Sequence, residues 1–114
     1  MPEKNAFPKD LRLRASVEFK KVYQKGAKRT SRSFVLFALE NALGYSRFGV
    51  TTPRRLGKAH ARNRVKRRVR EILRTSNKLV PKGFDFVLNP RQSVAARDFE
   101  ELRMELIVLL GGEQ

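Results

Sequence analysis

Cysteine and tryptophan are absent from this 114-residue sequence, and histidine occurs once, at His60. Without cysteine there are no disulfides, no thiolate zinc ligands and no thiol nucleophile. A single histidine excludes catalysis by a histidine pair. For His60 itself, a surface role is expected rather than that of a proton relay or a ligand. No apolar run approaches the roughly 20 residues of a membrane span, and the first residues lack the apolar centre of a signal peptide. We therefore expect a soluble cytoplasmic protein.

Acidic side chains are scarce as well: 11 Asp and Glu stand against 26 Lys and Arg, which gives a net charge of +15. Such a charge says little about fold but indicates a polyanionic partner, with nucleic acid ahead of a membrane surface or an acidic protein. Hydrophobic residues make up 40% and phenylalanine occurs eight times, which favours a folded domain over a disordered basic tail. The mixed Pro, Lys and Arg content of residues 1–14 predicts an extended basic arm before a single domain at 15–114.

Local patterns predict six elements in the order α-β-β-α-β-α, which indicates an α+β domain with one sheet. The expected helices cover about 16–25, 58–74 and 93–110, and the expected strands cover 33–41, 47–52 and 83–89. Ser16 is the expected N-cap of the first helix and Gly26 its C′ residue. Five aromatic residues are expected in the core: Phe34, Phe48, Phe84, Phe86 and Phe99.

Both faces of the strand at 33–41 are apolar, which is unusual for a strand with one face in solvent. Phe34, Leu36 and Ala38 alternate along it with Val35, Phe37 and Leu39. One face requires a core. The other requires either a second core or a hydrophobic binding surface, and the strand pattern alone leaves both open.

The segment from Lys58 to Arg74 contains eight Lys and Arg residues, opposed only by Glu71. On a helix, one arc is apolar and comprises Ala61, Val65, Val69, Ile72 and Leu73. The opposite side carries Asn63, Arg67, Arg70 and Arg74, with Arg64 and Lys66 on its flanks. Like charges at i, i+3 and i+4 destabilise a helix, so a merely solvated face would more often alternate its signs. The planar fork of arginine suits phosphate, and the segment therefore predicts a phosphate-binding helix.

These motifs resemble those of the bacterial ribonuclease P protein subunit. "ARNRVKRRVR" (61–70) is similar to the Arg-Asn-Arg motif of that family. The segments "FPKDLRLRASVEFKKVYQKG", "SFVLFAL" and "SRFGVTTPRRLGKAH" accompany it in the family's order. The resemblance implies an α/β sandwich of the ribosomal protein S5 domain 2-like type. Its one central sheet would contain a left-handed β-α-β crossover through the Arg-rich helix.

The family's role is implied by the same resemblance. Ribonuclease P removes the 5′ leader from precursor tRNA, and its RNA subunit carries the active site and the catalytic Mg²⁺. The protein subunit is non-catalytic and is expected to have no cofactor of its own. The expected partners are the catalytic RNA and precursor tRNA, and the protein is expected to be a monomer when free.

Site residues follow by carrying the family's motifs onto this sequence. The positions implied to meet the RNA subunit are Arg62, Asn63, Arg64, Lys66, Arg67 and Arg70. Those implied to bind the single-stranded leader are Phe19, Tyr23, Val35, Phe37 and Thr51. Supporting basic contacts are expected from Arg54, Arg55, Lys58 and Arg74.

The residues themselves also favour binding over catalysis. The aspartates lie in separate elements, the glutamates near the end belong to a scaffold helix, and no phosphate-binding glycine loop is present. A structural RNA-binding protein, such as a ribosomal protein, is the alternative, since size and charge fit it equally well. A sequence-specific DNA-binding protein ranks third because helix-turn-helix spacing and zinc motifs are absent.

Overall fold

The computed structural model describes residues 12–13 and 15–111. It has three helices, α1 (Ser16–Lys25), α2 (Ala59–Thr75) and α3 (Phe99–Leu109), and four strands, β1 (Ala27–Thr30), β2 (Phe34–Glu40), β3 (Arg47–Val50) and β4 (Phe84–Pro90). The α+β class and the predicted element order are confirmed, with β1 as an addition. Most of the expected basic arm at 1–14 lies outside the described residues, so that expectation stays a prediction.

The four strands form one mixed sheet in the order β1-β2-β4-β3. β2 pairs antiparallel with both β1 and β4, whereas β3 runs parallel to β4. Because α2 joins these two parallel neighbours, it provides the predicted β-α-β crossover. The outer edge of β3 is extended by a short segment, in which Arg12 bridges Phe48 and the Leu13 N–H donates to the Phe48 carbonyl at 2.8 Å.

One face of the sheet packs against α2 and α3 and forms the main core. The sheet contributes Phe34, Leu36, Phe48, Phe86 and Leu88, and the helices contribute Val69, Ile72, Leu73, Leu102 and Leu106. The predicted apolar arc of α2 is therefore confirmed. No helix in the described part of the chain combines the length and apolar character needed to cross a membrane.

The other face of the sheet is only partly covered. α1 packs on it through the buried Val22, which forms a second, smaller cluster with Leu13 and Val87. Phe37 and Leu39 lie at the margin of this cluster and are half-buried. The second apolar face of β2 thus has a core at one end and an accessible surface at the other.

The predicted ends of α1 need two corrections. Ser16 is already helical and the N-cap is Ala15, where the Glu18 carboxylate accepts a hydrogen bond from the Ala15 N–H at 3.3 Å. Gly26 is the C-cap with φ −80°, not a left-handed C′ residue. Glycine is needed there because a Cβ would lie 2.6 Å from the Val22 carbonyl oxygen and 2.8 Å from that of Ala38.

The last helix begins later than predicted. Residues Gln92–Ala96 form a 3₁₀ turn, and α3 starts after Asp98, whose carboxylate accepts from the Glu101 N–H at 2.8 Å. The core assignment of Phe99 is wrong, since it is 36% exposed. It is the first residue of α3 and precedes the buried stripe of that helix, which begins at Leu102. The other four phenylalanines expected in the core are buried or pack against it.

Candidate nucleic-acid interface

The cationic face of α2 is defined here by the six residues that are implied to meet the RNA subunit: Arg62, Asn63, Arg64, Lys66, Arg67 and Arg70. Asn63, Arg64 and Arg67 are exposed, and the other three are partly buried. Glu71, the one acid of the helix, is paired with Arg74. None of the five cations of this face forms an ion pair with a described residue. The face therefore carries positive charge that the described part of the chain does not neutralise.

Arg70 lies beside a cavity of about 300 Å³ between α2, β3 and the start of α1. Arg12, Phe19 and Lys66 also line this cavity. Burial lowers the pKa of Arg70, and the positive charge of Arg12 lowers it further. An anion placed in the cavity would stabilise the charged form of Arg70 against both effects.

The accessible end of the second sheet face forms an aromatic floor, made of Tyr23, Val35, Phe37, Thr51 and Asn89. Tyr23 and Phe37 pack edge to face, with ring centroids 4.9 Å apart. The hydroxyl groups of Tyr23 and Thr51 donate to the same Asn89 Oδ1, at 3.0 and 2.7 Å. Val35 lies opposite Asn89 in the register of β2 and β4. The structure thus brings together four of the five expected leader-binding residues.

The fifth of these residues, Phe19, lies one turn before Tyr23 on α1. Its ring covers Gly49, where a Cβ would lie 2.4 Å from Phe19 Cζ. Glycine at this position is therefore what allows the ring to approach β3. Phe19 lines the cavity beside Arg70, and it packs against the same small cluster as Phe37, so it lies between the cationic face and the aromatic floor.

The four supporting basic residues fall into two groups. Arg54 and Arg55 belong to a 3₁₀ turn before α2, and Lys58 is the N-cap of α2; all three are exposed. Arg55 also borders a shallow pocket at the β3 end of the aromatic floor. Arg74 differs because its hydrogen bond with Glu71 raises its pKa and gives it a partner within the helix. The first three are therefore better placed to meet an external anion.

Asn89 is a site residue that the sequence motifs did not predict. It accepts both hydroxyl hydrogen bonds of the aromatic floor and so fixes the positions of Tyr23 and Thr51. In the sequence it is only the polar residue after the run "FDFVL". Its importance depends on the pairing of β4 with β2, which places it opposite Val35. Asn89 could therefore have been identified only from the pairing register of β2 and β4.

The buried carboxylates are occupied by structural contacts. Asp85 accepts two hydrogen bonds from Arg47, at 2.9 and 2.7 Å. Glu105 on α3 accepts from the Ser33 N–H at 2.6 Å and so anchors the helix to the start of β2. His60 is exposed. Within residues 12–13 and 15–111, no three His, Asp or Glu side chains lie close enough together to hold a metal ion.

Comparison with known proteins gives a consistent result. Residues 7–112 match the family model for Ribonuclease P. The chain is 38% identical over 109 residues to the ribonuclease P protein component of Thermotoga sp. (strain RQ2), covering 92% of this chain and 93% of that protein. It is 35% identical over 103 residues to that of Geobacillus kaustophilus (strain HTA426), covering 90% and 85%.

The fold agrees with the sequence match. The solved structure of the RNase P protein from Thermotoga maritima superposes with a TM-score of 0.81 at 38% identity, covering 87% of this chain and 94% of that one. The family model spans nearly the whole sequence, and the relatives are matched over most of their length. This chain belongs to the ribonuclease P protein component family.

Proposed function

We propose that this chain is the protein subunit of a bacterial ribonuclease P and assists its catalytic RNA in removing the 5′ leader of precursor tRNA. Family membership supports this role. The observation that carries it is the position of Phe19, which lines a cavity with the α2 cations Lys66 and Arg70 and packs against the same cluster as Phe37 of the aromatic floor. A structural RNA-binding protein needs the cations of α2 but has no use for an accessible aromatic floor.

The cationic face of α2 is the contact for the RNA subunit. Phosphate contacts provide most of the affinity and fix the orientation of a bound nucleic acid. Folded RNA is recognised chiefly by its shape and backbone, which suits a rigid helix with projecting arginine forks. The repulsion among these cations in the free protein is relieved when RNA phosphates lie against them, and binding is correspondingly sensitive to salt.

The aromatic floor is the contact for the leader. Single-stranded RNA binds to aromatic side chains through its bases, at about 1–3 kcal/mol per base and with little sequence preference. That tolerance suits a leader whose sequence varies from one tRNA to another. Tyr23 and Phe37 provide the rings, and the Asn89 amide holds the ring of Tyr23 in place.

Hydrolysis itself is assigned to the RNA subunit with its Mg²⁺. The residues of this chain fit that division, because Asp85 is engaged by Arg47 and Glu105 by the β1–β2 turn. The protein contributes by holding the leader and the RNA subunit in a fixed relation, which lowers the entropic cost of aligning the cleavage site. The role is that of a non-catalytic subunit of a tRNA-processing endonuclease in the cytoplasm.

Reconstitution with a bacterial ribonuclease P RNA tests this function. At Mg²⁺ concentrations where the RNA alone cleaves precursor tRNA slowly, adding the protein is expected to increase the cleavage rate sharply, as measured by release of the labelled leader. A protein without effect on cleavage that still binds ribosomal RNA tightly would support the alternative of a structural RNA-binding protein.

Arg67→Ala tests the contact between α2 and the RNA subunit. Each lost phosphate contact reduces the slope of log affinity against log salt by about 0.7–0.9. Arg67 is exposed and unpaired among the described residues, so we expect a decrease of that size in a salt titration of binding to the RNA subunit.

Arg68→Ala is the matched control for Arg67→Ala. Arg68 is its neighbour with the same charge, but Arg68 Nη1 donates to the Arg97 carbonyl at 3.3 Å and so is directed toward α3. Its replacement should leave the slope close to that of the unmodified protein. Equal slopes for the two variants would mean that Arg67 contacts no phosphate.

A further inference from the structure

The edge strand β1 adds a positive charge at the far side of the aromatic floor. Lys28 lies opposite Phe37 in the register of β1 and β2, and its Nζ is 6.0 Å from the centre of the Phe37 ring. All four residues of β1 are exposed. The sequence motifs did not identify Lys28. Its position beside the floor depends on β1, a strand that the sequence pattern did not predict.

A chain of side-chain contacts crosses the sheet from β3 to β1. Thr51 donates to Asn89, Asn89 accepts from Tyr23, Tyr23 packs against Phe37, and Phe37 lies below Lys28. The contacts span three inter-strand spacings, or about 14 Å at about 4.8 Å per spacing. Such a length matches at most about four nucleotides at the axial rise of about 3.4 Å per nucleotide of a stacked strand.

The floor is therefore flanked by cations at both ends. Arg55 borders its β3 end, on the side of α2, and Lys28 lies at its β1 end. A distance of 6.0 Å is at the outer limit of a cation–π contact, so the ring of Phe37 does not hold the ammonium group firmly. Lys28 also has no ion pair with a described residue. Its charge is thus available to an external anion.

The next residue along β1 shows that this placement is specific. Arg29 lies opposite Leu36, which belongs to the fully buried core face, so Arg29 is on the other side of the sheet. Its guanidinium lies near Gly111, just after α3. Lys28 and Arg29 are therefore adjacent in sequence and equal in charge, but only Lys28 faces the aromatic floor.

We propose that Lys28 binds a backbone phosphate of the single-stranded leader at the end of the aromatic floor remote from α2. The inference rests on the proposed function and adds to it the direction in which the leader crosses the floor. The leader nucleotides nearest the cleavage site lie by Arg55 and the cationic face, where the RNA subunit binds. The chain then crosses Tyr23 and Phe37, and nucleotides farther upstream reach Lys28.

The experiment uses the reconstituted holoenzyme with precursor tRNAs that differ only in leader length. Lys28→Met removes the charge and retains an unbranched apolar stem over Phe37. We expect weaker binding than for the unmodified holoenzyme only when the leader is long enough to cross the floor, which takes at most about four nucleotides. For those leaders the slope of log affinity against log salt should fall by about 0.7, the value for one single-strand phosphate contact. Lys28→Arg should restore both properties.

Arg29→Met is the matched control, since it removes the same charge from the same strand on the opposite face. It should change binding little and equally at every leader length. If Lys28→Met behaves like Arg29→Met at all lengths while Tyr23→Ala still removes the preference for long leaders, the inference about Lys28 is overturned and the proposed function stands. If the unmodified holoenzyme binds precursor and mature tRNA equally, both are overturned.

Discussion

Replacing Tyr23 with alanine is expected to weaken binding of precursor tRNA to the holoenzyme by about 5- to 150-fold and to leave mature tRNA binding nearly unchanged. This range corresponds to the loss of one stacked base at about 1–3 kcal/mol. Tyr23 is 38% exposed, so it is accessible to a base while the edge-to-face contact of its ring with Phe37 fixes its orientation. Equilibrium binding of the two tRNA forms to the same holoenzyme gives the ratio directly.

Two variants separate stacking from other effects of this change. Tyr23→Phe keeps the ring and removes only the hydroxyl group that donates to Asn89, so the preference for precursor tRNA should be largely retained. Val17→Ala removes an apolar side chain that is 70% exposed on the same helix and should have no effect on either tRNA. Equal losses for precursor and mature tRNA in Tyr23→Ala would contradict a leader site at this position.

Elements whose structure depends on local pattern could be predicted from the sequence. The apolar arc of α2 from Val65 to Leu73 repeats with the helical period, and its burial followed from that spacing. The cationic side of the same helix could be predicted equally well, because it follows from the same helical period. The strand at Phe34–Glu40 was identified from its β-branched and aromatic content, including its two apolar faces.

Features that depend on pairing between distant segments could not be predicted in this way. β1 has the sequence Ala-Lys-Arg-Thr and no buried side chain, so only its hydrogen bonding to β2 makes it a strand. The role of Asn89 arises from the alignment of β4 with β2, and that of Lys28 from the alignment of β1 with β2. The site is thus only partly encoded in motifs, and sheet register supplies the remainder.

The two faces of β2 separate stability from binding. Phe34 and Leu36 are fully buried against the helices, whereas Phe37 on the other face is only half-buried and available to a ligand. A substitution on the binding face therefore need not unfold the protein, which is what makes the Tyr23 and Lys28 variants interpretable. Substitutions at the other end of that face are expected to affect stability, because a buried charge network lies there in place of an accessible surface.

This network is centred on Asp85 in β4, which is 6% exposed. Arg47 donates to both of its carboxylate oxygens, and Asn41 Nδ2 donates to Oδ1 at 2.8 Å. Arg47 also reaches Glu18 on α1, with Nη1 2.8 Å from a carboxylate oxygen. These contacts, with the Asp85 hydrogen bonds as the largest cause, raise the pKa of Arg47. The network therefore ties β3, β4 and α1 together at the end of the sheet face that lies beyond the aromatic floor.

Asp85→Ala is expected to reduce the free energy of unfolding by about 3 kcal/mol, because it leaves Arg47 without its buried partner. The low end of the usual range of about 3–5 kcal/mol applies, since the Arg47 side chain is 23% exposed and keeps Glu18. In thermal unfolding followed by circular dichroism, the midpoint should fall by about 10 °C. Glu18→Ala removes the other, more exposed carboxylate and should cost about 1 kcal/mol. If the two variants lose the same stability, burial of Asp85 does not determine the strength of this network, and the anchoring of α1 must come mainly from Val22 and its apolar neighbours.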